Sequence, residues 1–115
     1  MLGTKKILIV GGSGFVGTKL TEALLGLEYW VTVVDLIPSR VTHKNLIFIK
    51  ADFSVDTVPS EILDGVYAVV NLAGANIGKR WTSKYQKVIY DSRVVTTRKL
   101  AQAISKTALK PSVLV

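Results

Sequence analysis

The 115-residue chain contains no cysteine, which excludes disulfides, thiolate nucleophiles and cysteine-bound zinc. Its single histidine, His43, leaves no cluster for a metal and no second imidazole around which to build a triad, so no metal site is expected. No apolar run approaches the roughly 20 residues of a membrane helix. The opening Met1–Lys6 passes into only Ile7–Val10, too short also for a signal core, and a soluble, cytoplasmic protein with no membrane partner is expected. Acidic residues are few as well, 8 against 15 Lys and Arg for a net charge of +7. That surplus attracts anions such as nucleotides and, less specifically, nucleic acid. The cations are nevertheless scattered (Lys5 and Lys6, Lys79 and Arg80, Lys84, Lys87, Arg98 and Lys99) rather than massed, as on a solvated surface, and nucleic acid is not the expected partner. Repeats, low-complexity tracts and linkers are missing too, and 49% hydrophobic content fits one globular domain spanning 1–115.

What is present alternates in period. Ile7–Val10 is an unbroken apolar run ending at Gly11, as expected of a parallel strand buried on both faces. From Phe15, the positions Val16, Leu20, Ala23, Leu24 and Leu27 follow one helical face, with Gly26 placed to end the helix. Trp30–Val34 reads as a second strand stopping at Asp35, followed by a loop at Pro38 and Ser39. Leu46–Ile49 and Tyr67–Leu72 read as the third and fourth strands, with a short helix over Pro59–Leu63 and Gly65 at its end. A long helix runs from Trp81 through Ile104, closed by Lys110 and Pro111, and a fifth strand at Val113–Val115 is where the sequence stops. Buried, non-alternating strands joined by helices require a parallel sheet covered on both sides. The fold class is therefore α/β, a Rossmann-type doubly wound sheet of order 3-2-1-4-5, cut within its fifth strand.

Gly11, Gly14 and Gly17 in GGSGFVG fall between the first strand and the first helix. The first glycine permits the sharp turn, the second lets main chain approach a pyrophosphate, and the third lets helix and strand pack closely. Free N–H groups at the helix start then face the phosphates. An ATP-type phosphate loop needs Lys directly after its last glycine, whereas Gly17 is followed by Thr18, Lys19 and Leu20, which disfavours ATP hydrolysis. Asp35 lies near the roughly 20-residue offset of a carboxylate that receives the adenosine ribose, which favours NAD. Arg40 in the next loop could neutralise a 2′-phosphate, so NADP stays open. Loop anchoring or helix capping by Asp35 is the plainer alternative.

Taken with Asp52–Phe53 after the third strand and Asn71-Leu72-Ala73-Gly74 after the fourth, these features resemble the short-chain dehydrogenase/reductase superfamily. NLAGANIGKRW followed by DSR and TRKL is similar, more narrowly, to its atypical, sugar-nucleotide-epimerase-like branch of epimerase family proteins. The resemblance implies that Gly11, Gly12, Ser13, Gly14, Phe15, Val16 and Gly17 hold the pyrophosphate, Asp35 the ribose, Asp52 and Phe53 the adenine edge, and Leu72, Ala73 and Gly74 the nicotinamide side. Without it, Asp52 reads as a turn former and Asn71 as a strand-end cap. Three positions depart from the pattern: Val10 where many relatives have Thr, Ala75 where the branch commonly has an acid, and Arg93 where relatives outside the branch often have Asn. A cation at 93 could meet an anionic substrate or phosphate, or simply project from an exposed helix.

The superfamily's reaction uses a Tyr four residues before a Lys, helped by a Ser, to exchange a proton while nicotinamide exchanges hydride. Four residues after Tyr29, Tyr67, Tyr85 and Tyr90 stand Val33, Asn71, Ile89 and Val94, so no catalytic residue is assigned. The resemblance places Ser, Tyr and Lys beyond Val115. The chain then reads as the N-terminal NAD(P)-binding part of a longer oxidoreductase or epimerase acting on a small carbonyl or nucleotide-linked substrate. Cofactor binding without turnover is expected, as are an exposed sheet edge and marginal stability that a homo-oligomer would relieve. The alternative is a noncatalytic nucleotide-sensing or nucleic-acid-associated module on the same fold.

Overall fold

The computed structural model describes residues 5–53, 55–72, 83–107, 111 and 113–115. Five strands, β1 (Lys6–Val10), β2 (Trp30–Asp35), β3 (Leu46–Lys50), β4 (Val66–Asn71) and β5 (Val113–Leu114), form one sheet in the order β3-β2-β1-β4-β5. Every pairing is parallel, as the expected order requires. Helix α1 (Phe15–Gly26) follows β1, a short 3-10 helix (Ser60–Leu63) precedes β4, and the 23-residue α2 (Ser83–Ser105) follows it. None of the described helices is long and apolar enough to cross a membrane.

The unbroken apolar strands are explained by two hydrophobic clusters, one on each side of the sheet. Ile7, Ile9, Val31, Val33 and Ala68 pack with Leu25 of α1. Leu8, Val10, Val34 and Val69 pack with Phe53, Leu63 and, from α2, Leu100 and Ala103. Successive residues of β1 thus point into different cores, and neither face can be polar.

The registers Val10↔Val34, Val34↔Ile49 and Val10↔Asn71 bring the carboxyl ends of the four long strands level. The ladder continues one step beyond them: the Gly11 N–H donates to Val34 O at 2.7 Å, Ala51 N–H to Asp35 O at 3.2 Å and Leu72 N–H to Val10 O at 2.7 Å. The glycine turn, Asp35, Asp52 and Asn71–Leu72 therefore share one edge of the sheet, where open α/β folds bind ligands.

Two helix ends are fixed by hydrogen bonds that hydrophobic spacing does not display. Gly26 is the last residue of α1, as its place in the sequence predicts, while the left-handed residue of the cap is Glu28, at φ 67°. The Glu28 N–H donates to Leu25 O at 3.0 Å and Tyr29 N–H to Leu24 O at 3.1 Å, the paired bonds of a Schellman end. A side chain with a Cβ is disfavoured in this conformation by about 1 kcal/mol or more. Replacing Glu28→Gly is therefore expected to stabilise the chain by about 1 kcal/mol, less the entropy glycine adds to the unfolded state, read as an upward shift of the urea midpoint. The long helix ends at Ser105, one residue past the last periodic position Ile104, where Thr107 folds back: its Oγ1 donates to Ala103 O at 2.9 Å and its N–H to Ile104 O at 3.1 Å. Trp81 lies outside the described residues.

Candidate functional site

The glycine turn leaves β1 at Gly11, whose φ of 81° is left-handed and suits glycine. Gly12 turns inward, and a Cβ there would come within 2.8 Å of Val33 Cγ1. Gly17, in the first turn of α1, lies against it: a Cβ on Gly17 would stand 2.5 Å from Gly12 Cα and 2.7 Å from Gly12 O. The close packing expected of the third glycine is thus a contact between two glycines, one in the helix and one in the turn.

Gly14 differs in kind. It caps α1 with extended backbone at φ −78° and ψ −174°, which any residue adopts, and a Cβ on it would meet nothing within 4 Å. Neither backbone geometry nor internal packing requires glycine here, and Ser, Asp or Asn would cap the helix better. No side chain caps α1, and no acid lies in its first turn. The helix start therefore presents main-chain donors and the positive end of its dipole to open space. A pyrophosphate fits such a cradle. The neighbouring Phe15 and Val16 are both exposed, on the rim of the same opening.

Asp35 reaches this turn directly. Its Oδ2 accepts the Ser13 N–H at 3.0 Å, while Oδ1 accepts the Leu36 N–H at 2.7 Å and the Ile37 N–H at 3.4 Å. The loop-anchoring reading of Asp35 thus holds. Ser13 itself is buried, and its Oγ has no partner among the described residues.

At the end of β3, the Asp52 N–H donates to Asp56 Oδ2 at 2.8 Å and Asp56 N–H to Asp52 O at 2.7 Å, a closed turn that Lys99 of α2 secures by donating from Nζ to Asp56 O at 3.0 Å. Phe53 is 1% exposed, its ring within the core beside Leu8 and Leu100. That burial covers the whole residue, main chain included. At the end of β4, Asn71 Nδ2 donates to Thr97 Oγ1 of α2 at 2.9 Å, and Leu72 is half-buried. Ala73, Gly74, Ala75 and the side chain of Arg93 lie outside the described residues.

Several neighbours escaped the sequence reading. Leu36 and Ile37, both exposed, follow Asp35 along the same edge; an apolar pair between a strand-ending acid and Pro38 was the available signal. Thr97 and Lys99 had none, since their partners lie 26 and 43 residues away. Tyr67 is covered by the Lys5 ammonium, 3.9 Å from its ring centroid, at the amino-terminal end of the sheet. Among the described residues no group of three metal-ligating side chains occurs.

Comparison with known proteins agrees with this arrangement. The NAD dependent epimerase/dehydratase family matches residues 7–115. The epimerase family protein SH2119 of Staphylococcus haemolyticus is 34% identical over 110 residues, 96% of this chain but 36% of that protein. The chain thus spans little more than a third of the curated relatives it matches. The crystal structure of human epimerase family protein SDR39U1 (isoform 2) with NADPH superposes with a TM-score of 0.67 at 34% identity, covering 95% of this chain and 35% of that one. A short-chain dehydrogenase/reductase superfamily protein from Agrobacterium tumefaciens with bound NAD gives 0.69 at 25% identity, over 90% and 30% of the respective chains.

Proposed function

From the premise that the chain belongs to the NAD dependent epimerase/dehydratase family, we propose that it is the dinucleotide-binding portion of a short-chain dehydrogenase/reductase-type oxidoreductase or epimerase. The observation that carries this reading is the cradle at Gly14, a glycine that nothing inside the protein requires. Main-chain amides at the start of α1 hold the pyrophosphate, the Asp35 carboxylate accepts the ribose hydroxyls, and the exposed Leu36 flanks the adenine together with Asp52. By resemblance to the family, Leu72, Ala73 and Gly74 are assigned to the nicotinamide side. When bound, the cofactor supplies hydride exchange at that ring. A longer protein containing this portion would act on a small carbonyl or nucleotide-linked substrate, with its acid-base residues outside these 115.

NAD is the preferred cofactor. A 2′-phosphate would be brought against a carboxylate fixed by main-chain N–H groups, and like charges at close range repel. The human relative's NADPH makes the choice a sharp one, and the exposed Arg40 is the group that would have to offset the repulsion. Calorimetric titration is expected to show NAD binding at least about tenfold more tightly than NADP, a difference of about 1.4 kcal/mol. Equal affinities would remove the preference, and heat from neither titration would remove the function.

A further inference from the structure

We propose that Asp35 is a positioning residue for the phosphate-binding turn, in addition to receiving the ribose. The inference rests on the reading of this edge as a dinucleotide site and goes beyond it, because it gives Asp35 a duty toward phosphates it does not touch. Gly12 and Gly14 leave the main chain between them free to take many conformations, yet amides that are to grip a pyrophosphate must be held in place beforehand. Two bonds tie the turn to β2: the Gly11 N–H to Val34 O at 2.7 Å and the Ser13 N–H to Asp35 Oδ2 at 3.0 Å. The second fixes the Gly12–Ser13 peptide, one residue before Gly14 and the cradle. Ser13 Oγ has no partner among the described residues, so the carboxylate, not the serine side chain, does the holding.

The Asp35 carboxylate is itself steadied, since Oδ1 accepts Leu36 N–H at 2.7 Å. Each of its oxygens carries two lone pairs, so one carboxylate can serve ribose and turn together. A charged acceptor strengthens the bond to Ser13 beyond that of a neutral one, and Ser13 is 3% exposed, which shields it from competing water.

Ribose binding alone and turn positioning predict opposite signs for one measurement. Asp35→Ala deletes a negative charge near the phosphates, so electrostatics by itself tightens the binding of a phosphate ligand that makes no ribose contact. Loss of the tie to Ser13 weakens it. The probe is 2′,3′-dideoxy-ADP, which lacks both ribose hydroxyls, titrated alongside ADP into the 115-residue chain. Unmodified protein that binds neither ligand would overturn the site reading rather than the role of Asp35. Given binding, Asp35→Ala is expected to lose at least about fivefold in dideoxy-ADP affinity; unchanged or tighter binding overturns the proposal. Amide hydrogen exchange without ligand gives a second, independent reading, in the milder Asp35→Asn, whose one neutral carbonyl oxygen replaces the two charged acceptors that hold Ser13 and Leu36. Exchange at Ser13 should quicken at least about fivefold while Gly11, tied to Val34, keeps its rate. Equal rates at Ser13 in the two proteins would sink the proposal even if Asp35→Ala failed to fold.

Discussion

Gly17→Ala is expected to destabilise the chain by about 3 kcal/mol, the upper end of the usual cost of overpacking. On an isolated helix the same change would gain about 1 kcal/mol in propensity, so the sign is decided by packing. A Cβ at position 17 would stand 2.5 Å from Gly12 Cα, 2.6 Å from its carbonyl carbon and 2.7 Å from its oxygen. These are backbone atoms, with no rotamer to change. Gly12 cannot retreat, because its other side faces Val33 Cγ1 and Ile9 Cγ2 in the core. Relief must come from lifting α1, which carries Leu25 and Thr21 into the packing against the sheet. For a small domain with a total stability toward the low end of about 5–15 kcal/mol, that loss leaves a large unfolded population at elevated temperature. Urea denaturation of Gly17→Ala beside Gly26→Ala gives the comparison, since a Cβ on Gly26 meets nothing within 4 Å. If the two variants unfold at the same midpoint, the glycine–glycine contact is not what seats the helix.

That contact shows which features a sequence discloses and which it does not. All five strands and both longer helices were readable because burial on two faces produces runs such as Ile7–Val10, while a helix against one face produces 3.6-residue spacing. The sheet order followed, since right-handed parallel crossovers leave few alternatives. Boundaries slipped by a residue at Lys6 and Lys50, whose polar side chains hydrophobicity passes over although they pair in the ladder, and the fourth strand, read as Tyr67–Leu72, lies one residue earlier at Val66–Asn71. Gly26 did mark the end of α1, but hydrogen-bond geometry put the left-handed residue of the cap at Glu28, which composition does not disclose.

In the site, the glycines and Asp35 were legible from spacing, as both lie at strand ends that the fold brings level. What they touch was not. The bonds from Ser13 to Asp35 and from Asn71 to Thr97 join residues 22 and 26 apart, and they depend on how loops approach once the sheet has formed. Phe53 carries the same lesson: its place after β3 was evident, but period-two logic stops where the strand stops, and the ring turned into the core.

Gly14→Val should reverse the outcome for Gly17: the fold survives and the ligand is lost. The substituted Cβ meets no atom of the protein, and φ of −78° is ordinary for valine. The stability cost is therefore confined to a poorer cap, about 1 kcal/mol or less, a shift of a few degrees in melting temperature. Binding fares differently. An amide grips a phosphate oxygen at about 2.9 Å, and an isopropyl group standing beside the first-turn amides fills the space through which that oxygen must come. NAD affinity is expected to fall at least about 100-fold, some 2.7 kcal/mol, in a calorimetric titration, with the circular dichroism spectrum unchanged. Because the variant keeps its fold, the loss cannot be charged to unfolding, as it could for Gly17→Ala. Gly17 is small for the sake of Gly12, within the chain, whereas no atom within 4 Å requires Gly14 to be small. If Gly14→Val bound NAD as well as the unmodified protein, the space beside that residue would hold no phosphate and the dinucleotide would have to lie elsewhere.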